Sequence, residues 1–259
     1  GQLNLLKEIY KRPKAYFWLD TLNCFLFHGA SAREYINFEL YKLNHIGRRQ
    51  FVTMRRSYTI RRLLNSPEYA HIFNDKRAFN KAFSDFIERK WIYAPEVDEE
   101  DIINFVCKMG TVVVKPTNLS GGRGVFVLTY DEIGDVGRFC VEVKHQGCLI
   151  EEYIAQAPEL ARPNSSSVNT IRAYTLINKK GTCELIFAAL RVGGPNARVD
   201  NYHSGGVGYA IDLDSGIISQ PGADMMGNRY IYHPSTNFLM VGFRVPRWEE
   251  IREFVSRAA

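Results

Sequence analysis

The chain has 259 residues, 46% hydrophobic and 24% charged, a balance typical of a soluble globular protein. The apolar segment 15–30 is interrupted by Asp20, Asn23 and His28, and the chain has no uninterrupted apolar run that would predict a membrane-spanning helix. The five cysteines are scattered without a CxxC pair, which argues against a zinc site or a disulfide framework. Reduced cysteines are typical of the cytoplasm, where we expect the protein to act.

Positive charge is concentrated in the first part of the chain. Residues 1–95 carry 17 lysines and arginines against 8 acidic residues, whereas residues 96–259 carry 16 against 20. Helical spacing of apolar residues, with a capping-box pattern that begins at Ser31, predicts a mostly helical region here. Three arginine doublets between residues 48 and 62 predict an amphipathic helix. Such a helix would make a peripheral contact with an anionic membrane or pack against the next lobe, and we favour packing.

A further helix is predicted to begin at Lys76, with Asp75 as its N-cap. The N-terminus of a helix is already positive, so a lysine in its first turn calls for a nearby anion. The simpler alternative is an exposed surface lysine.

Residues 111–128 predict a hairpin of two β-branched strands. Lys115 ends the first strand, and the loop contains Gly121, Gly122, Arg123 and Gly124. Glycine amides approach an anion closely and a lysine adds charge, so the hairpin is suited to a polyphosphate. The pattern is neither a Walker A loop nor a Rossmann fingerprint, because no GK[ST] follows and the next element is a strand. An ordinary glycine-rich hairpin is the alternative.

The segment 148–154 predicts a short apolar strand that carries Glu151 and Glu152. As a hinge between lobes it would offer backbone groups to an adenine edge and a carboxylate to an amino group or a ribose hydroxyl. Two later strands, 169–177 and 184–192, carry Arg172 and Arg191. Two arginines in one cleft would bind an oxyanion or a phosphate, whereas on a solvent face they would have no such role.

A polar loop with two glycines follows at residues 200–206 and contains Asn201. Asp212 to Gly216 predicts a tight turn and not a calcium loop, because too few oxygen ligands are present. A final helix is predicted from Trp248.

The order of these motifs resembles the ATP-grasp superfamily over roughly residues 35–259. More narrowly, the chain is similar to the sugar-transfer-associated ATP-grasp proteins found with cell-surface polysaccharide genes. The motifs that carry the resemblance are Asp75-Lys76, Val114-Lys115-Pro116, the GGRG loop, LIEEYI, NTIR, LRVGG and DNYHSGG. The resemblance implies an α+β ATP-grasp fold, with the nucleotide cleft between two α+β lobes. The implied division is a helical N-terminal region 1–95, a small lobe 96–154 and a C-terminal lobe 155–259.

The resemblance also implies roles for the motif residues. Lys76 and Lys115 would hold the ATP phosphates, with the loop Gly121–Gly124 as a lid. The adenine and ribose pocket would be lined by Glu151, Glu152 and Ile154. Arg172 and Arg191 would neutralise the γ-phosphate or an acyl-phosphate oxyanion. The acceptor-side loop would contain Asn201, Gly205 and Gly206.

The magnesium site departs from the family pattern. ATP-grasp enzymes usually supply Mg²⁺ ligands from an aspartate and then a Glu-x-Asn near the C-terminus, and no such pair occurs in this sequence. Asp212 and Asp214, at a turn, are poor substitutes. We therefore expect that the C-terminal lobe is truncated before these ligands or that the chain binds nucleotide without turnover, and the metal ligands stay unknown.

The resemblance implies an ATP-dependent ligase that joins a carboxylate to an amine or hydroxyl through an acyl phosphate. Its acceptor would be a small molecule or a glycan, and its setting the modification of a surface polysaccharide or its precursor. A catalytically impaired ATP-binding module and a sugar or small-molecule phosphotransferase are the alternatives. No nucleic-acid partner is expected, because the acidic C-terminal half argues against a continuous basic footprint.

Overall fold

The structure, a computed structural model, describes Glu8 and residues 10–119, 124–195 and 199–259. The chain divides into two compact units, Gly1–Ala70 and His71–Ala259. One hydrophobic cluster forms the core of the first unit, and two clusters, one for each β-sheet, form the core of the second. The three-part division that the sequence predicts stays a prediction.

The described part of the first unit consists of short helices. Ser31 begins one of them with the predicted capping box, since its hydroxyl accepts from the Glu34 N–H at 3.2 Å and its own N–H donates to the Glu34 carboxylate at 2.8 Å. Four buried residues form the core: Cys24, Ala30, Tyr35 and Leu40. The helices are α1 Lys14–Asn23, which continues as a π-helix Cys24–His28, α2 Ala32–Asn37, α3 His45–Arg48, α4 Met54–Leu64 and, across the unit boundary, α5 Ala70–Asn74.

Asp20, one of the polar residues that interrupt the apolar segment 15–30, turns into the interior of this unit. Its carboxylate accepts from the Tyr35 hydroxyl at 2.8 Å and from Arg48 Nη2 at 2.6 Å. Arg48 is buried too, and its Nε donates to the Leu40 carbonyl at 2.9 Å. The one acidic residue of α1 is therefore used inside the unit.

The first sheet of the second unit has the strand order β1-β4-β2-β3, and every neighbouring pair is antiparallel. The strands are β1 Trp91–Tyr93, β2 Thr111–Pro116, β3 Phe126–Thr129 and β4 Cys148–Glu152. Pairing of β2 with β3 confirms the predicted hairpin, whereas β1 lies in the region predicted to be helical. The helices of this part are α6 Lys76–Ala82, α7 Glu99–Met109 and α8 Val136–His145.

The helices α7 and α8 cover the sheet with apolar residues such as Val106 and Val143. Asp98 begins α7 by accepting from the Asp101 N–H at 2.8 Å. A 3₁₀ turn, Tyr130–Glu132, precedes α8, which begins after Asp135. The Asp135 carboxylate caps the helix by accepting from the Arg138 N–H at 2.9 Å.

The second sheet has the order β5-β6-β7-β8-β9. Its strands are β5 Thr170–Ile177, β6 Cys183–Val192, β7 Val207–Ala210, β8 Gly222–Ala223 and β9 Arg229–Tyr230. The short helix α9 Pro158–Ala161 precedes β5 along the chain, and the helix α10 Trp248–Ala258 follows β9. Trp248 joins the core of this sheet and donates from Nε1 to the Leu213 carbonyl at 2.9 Å. Gly216, with φ +71°, permits this packing, because a Cβ there would lie 2.5 Å from Trp248 Cγ.

The content of 43% helix and 20% strand, all of it antiparallel, agrees with the predicted α+β class. All five cysteines are free thiols, as predicted. Among the residues that the structure describes, no helix is both long and apolar enough to cross a membrane.

Candidate functional site

Glu151 is the centre of a buried ionic cluster on the first sheet. It lies on β4, between β1 and β2, and only 2% of its side chain is exposed. Glu151 pairs with Val113 of the neighbouring strand β2. Lys115 is two residues further along β2, so its side chain lies on the same face of the sheet as Glu151. The Lys115 ammonium donates to the Glu151 carboxylate.

Two residues that precede β1 complete the shell of this carboxylate. Arg89 donates from Nε at 3.0 Å and from Nη2 at 3.2 Å, which makes a two-pronged ion pair. The buried amide of Asn80 donates at 3.2 Å. Glu151 is therefore hydrogen-bonded by three different side chains, as a buried carboxylate requires.

Lys76 brings a third cation to the same place. Its Nζ donates to the carbonyls of Pro116 at 2.7 Å, Thr117 at 3.3 Å and Leu119, which directly follow Lys115 along the chain. Asp75 caps its helix as predicted, accepting from the Ala78 N–H at 3.0 Å. The structure thus brings Lys76 and Lys115 together, although they are far apart in sequence.

The pKa shifts report this crowding of charge. Burial alone would raise the pKa of Glu151, but the hydrogen bonds from Arg89 and the charge of Lys115 outweigh it and hold that pKa below its usual value. Burial, and then repulsion by Lys115, lower the pKa of Lys76. Three cations and two carboxylates, Glu151 and Asp75, leave a surplus of one positive charge, which an anionic ligand would neutralise.

The loop after β2 is described only at its ends. Gly124 adopts φ +68°, and a Cβ there would lie 3.0 Å from the Pro116 ring. The other predicted loop residues, Gly121, Gly122 and Arg123, lie outside the described residues.

A cavity of about 640 Å³ lies beside the end of β4. Its lining includes the predicted hinge residues Glu152 and Ile154, together with Arg89, Phe86 and Phe254. Arg89 therefore belongs both to the cavity and to the shell of Glu151. The Glu152 carboxylate accepts from the Lys90 N–H at 3.1 Å, so one of its oxygens is already engaged.

A second group of charged residues lies on the second sheet. Arg191 pairs with Thr170, and Arg172 is two residues further along β5, so both arginines lie on one face. Arg191 Nη2 donates to Asp200 Oδ1 at 3.1 Å, and the other oxygen of Asp200 accepts from the Thr170 N–H at 3.2 Å. Arg191 Nε is buried and has no hydrogen-bond partner among the described residues.

Tyr202 lies beside Arg191. Its ring centroid lies 5.9 Å from the Arg191 guanidinium carbon, and burial raises the pKa of its hydroxyl although Arg191 and Arg172 oppose the shift. The ring fits because β7 has a glycine there. A Cβ on Gly208 would lie 1.9 Å from the Tyr202 hydroxyl oxygen.

The turn that follows Arg191 is held by buried polar side chains. Asn164 donates to the Gly193 carbonyl at 2.7 Å, and His233 Nε2 donates to the same oxygen at 2.9 Å. Asn169 accepts from the Gly193 N–H at 3.2 Å. The asparagine of the NTIR motif and the histidine of the His-Pro pair thus position the backbone beside Arg191.

Residues 135–259 match the family model described as sugar-transfer associated ATP-grasp. Over this range the predicted resemblance is confirmed. The match supports ATP binding and an ATP-dependent, ligase-like activity. It contains Glu151, Arg172 and Arg191 but begins after Lys76 and Lys115. No curated protein matches the chain.

The predicted site residues of this chain fall into two groups. Lys76 and Lys115 lie close to the Glu151 carboxylate. Arg172 and Arg191 share a face of the second sheet. Asn201 instead caps a 3₁₀ turn, accepting from the Ser204 N–H at 2.8 Å. The roles that the sequence assigns to these residues stay predictions.

Sequence reasoning missed Asn80, Arg89, Asp200 and Tyr202 as members of these groups. Arg89 and Asn80 reach Glu151 across 62 and 71 residues of sequence, a separation that no local pattern reveals. Asp200 and Tyr202 lie in the DNYHSGG motif, so that motif was the available signal.

The magnesium ligands stay unassigned. Within the described residues, no group of three or more histidine, cysteine, aspartate or glutamate side chains could hold a metal. Asp212 forms the predicted tight turn, accepting from the Ser215 N–H at 2.9 Å. The function proposed below uses no step through a metal held by these residues.

Proposed function

We propose that the protein binds ATP beside the end of β4 and uses it as a carboxylate–amine or carboxylate–hydroxyl ligase. The observation that carries the proposal is the surplus of positive charge around Glu151, next to a cavity of about 640 Å³. A triphosphate supplies the negative charge that this cluster lacks. The family match to ATP-grasp proteins supports the same ligand.

The base of ATP fits the apolar part of the cavity. Phe86 and Phe254 lie edge to face there, with ring centroids 5.5 Å apart, and Ile154 lines the same space. Arg89 connects this space to Glu151, so a nucleotide placed here has its phosphates directed towards Lys115 and Lys76. Glu152 has one carboxylate oxygen left for a ribose hydroxyl.

Binding requires an exchange of partners at Lys76. Its ammonium now donates to three backbone carbonyls at the start of the glycine loop. A phosphate oxygen would replace one or more of these carbonyls and thereby couple nucleotide binding to the position of the loop Gly121–Gly124. The proposal assigns that loop the role of a lid.

The chemistry we propose has two steps. A substrate carboxylate attacks the γ-phosphorus of ATP, which breaks the bond to ADP and forms an acyl phosphate. An amine or hydroxyl then attacks the acyl carbon, loses its proton and releases inorganic phosphate. Arg172 and Arg191 neutralise the oxyanions, so that catalysis is mainly positioning and charge stabilisation.

The substrate class rests on the family description alone. Sugar-transfer associated proteins of the ATP-grasp type indicate a glycan or its precursor as acceptor, in the setting of surface polysaccharide synthesis.

The test is calorimetric titration of ATP into Lys115→Met, with Lys108→Met, an exposed lysine on α7, as the matched control. Loss of a charged hydrogen-bond partner is worth about 1.5–3 kcal/mol, so we expect ATP affinity to fall by about tenfold or more in the first variant only. Equal ATP affinity in both variants would show that the ATP phosphates do not bind at this cluster.

ADP release with a panel of sugar acids and amines then tests turnover. Loss of that release in Arg191→Ala, with ATP affinity kept, supports the ligase. A second candidate, an ATP-binding module without turnover, is favoured by the lack of a metal site among the described residues. ATP-dependent thermal stabilisation without ADP release over the whole panel would select it, and a phosphorylated sugar would select a phosphotransferase.

A further inference from the structure

Helix α1 and its π-helical continuation have two unlike faces. The inner face packs into the first unit through Phe17 and Cys24. On this side the Asp20 carboxylate accepts hydrogen bonds from Tyr35 and Arg48. The outer face is apolar, because at 100° per residue Trp18, Leu19 and Leu22 fall on the side of α1 away from Phe17. Its exposed residues are Trp18 (62%), Leu19 (68%), Leu22, Phe25 and Leu26.

Cations border this outer face at both ends. Lys11, Arg12 and Lys14 are exposed at its N-terminal end. At the other end, Arg55 donates to the Leu26 and Phe25 carbonyls, each at 3.1 Å, and its guanidinium lies 5.6 Å from the Phe25 ring centroid. The unit Gly1–Ala70 carries 12 lysines and arginines against 5 acidic residues.

We propose that the outer face of α1, residues 15–27, docks onto an anionic lipid bilayer. Tryptophan, phenylalanine and leucine on one side of a helix, with lysine and arginine at its borders, is the composition of helices that lie in the plane of the headgroups. The cations add attraction to anionic lipids, and Trp18 suits the headgroup level.

The proposed contact lies on a different element from α4, the helix that carries the second and third arginine doublets. Arg48 is buried against Asp20, and Arg56 donates to the Phe51 carbonyl at 3.0 Å, so these two are engaged within the unit. A second copy of the chain is the poorer occupant, because two units with the same positive surplus repel each other.

The test is flotation of the full chain with phosphatidylglycerol–phosphatidylcholine vesicles and with phosphatidylcholine vesicles. We expect binding to the anionic vesicles, weaker by about tenfold or more in Leu19→Gln with Leu22→Gln, since two leucine side chains no longer enter the bilayer. Ile186→Gln, at an exposed apolar position of β6, is the matched control and should bind like the native chain. Trp18→Phe should keep binding but lose the blue shift of tryptophan emission that vesicles cause.

Three outcomes would overturn the proposal. The first is no binding to anionic vesicles, and the second is equal binding to both kinds of vesicle. The third is a lowered unfolding midpoint of Leu19→Gln with Leu22→Gln in the absence of lipid, which would mean that protein covers this face. Nucleotide binding does not enter the experiment, so its result is independent of the ligase assignment.

Discussion

The two charged groups of the second unit differ in how their positive charge is balanced. Around Glu151, Lys115 and Arg89 share one buried carboxylate, and Lys76 lies nearby on backbone carbonyls. On the second sheet, Arg191 has a carboxylate of its own in Asp200, while Arg172 makes no hydrogen bond or ion pair with a described residue. The first group therefore has more positive than negative charge. In the second group, Asp200 fixes Arg191, and Arg172 is available to a ligand.

This difference suits the first group to binding a polyanion and the second group to orienting a guanidinium. A buried carboxylate that pairs with two cations, with a third cation beside them, keeps these charges close together before any ligand arrives. A polyanion that binds there then compensates the remaining positive charge. Asp200, in contrast, ties Arg191 to the backbone of Thr170, so it fixes the direction of a guanidinium. Substitutions in both groups test this difference.

The largest effect is expected from Glu151→Gln. The amide keeps the shape but leaves Lys115 and Arg89, each about a quarter exposed, without a counter-charge. We therefore expect a cost of about 3 kcal/mol, the lower end of the range for a broken buried ion pair. Chemical denaturation should show this loss in the second unit. Glu250→Gln, which removes a fully exposed partner of Arg247, should leave the midpoint unchanged.

ATP sharpens the same experiment. If the cluster receives the triphosphate, ATP should raise the unfolding midpoint of Glu151→Gln by more than that of the native chain, because the variant lacks an anion. An unchanged midpoint of the variant without ATP would show that the carboxylate does not hold the cluster together.

The sequence predicts the parts of this site that depend on neighbours along the chain. Asp75 caps its helix and β2 pairs with β3, because a cap and a short hairpin are set by local residues. β1 is three residues long and exists only through its pairing with β4, so its own sequence gives no signal. Arg89 enters the site for the same reason, because it directly precedes that pairing.

Asp200→Asn should have the next largest effect. It removes the counter-charge of Arg191 but keeps an oxygen for the Thr170 N–H, and such a loss is worth about 1–3 kcal/mol in denaturation experiments. Thr170→Val, which removes only the hydroxyl contact to Asp200, should cost less. A cost for Asp200→Asn equal to that of Glu151→Gln would erase the distinction between the two groups.

The smallest effect concerns acidification and His233. Burial lowers the pKa of His233 from its ordinary value of 6.5, so the ring is neutral in the folded protein and donates to the Gly193 carbonyl. Below pH 6.5 the unfolded chain gains a proton that the folded chain does not, and the folded state therefore loses stability as pH falls. Glu151, with its lowered pKa, loses its contribution only below its ordinary value of 4.5.

The two groups should therefore weaken in different pH windows. Between pH 6.5 and 5.5, we expect the native chain to lose stability through His233, by about 1 kcal/mol at most, seen as a falling free energy of unfolding. His233→Gln keeps an amide donor for the Gly193 carbonyl but cannot titrate, so its slope in this window should be flatter. His203→Asn, at an exposed histidine, should follow the native slope. If His233→Gln also follows it, His233 takes up its proton without leaving Gly193, and acid acts on the second sheet through another group.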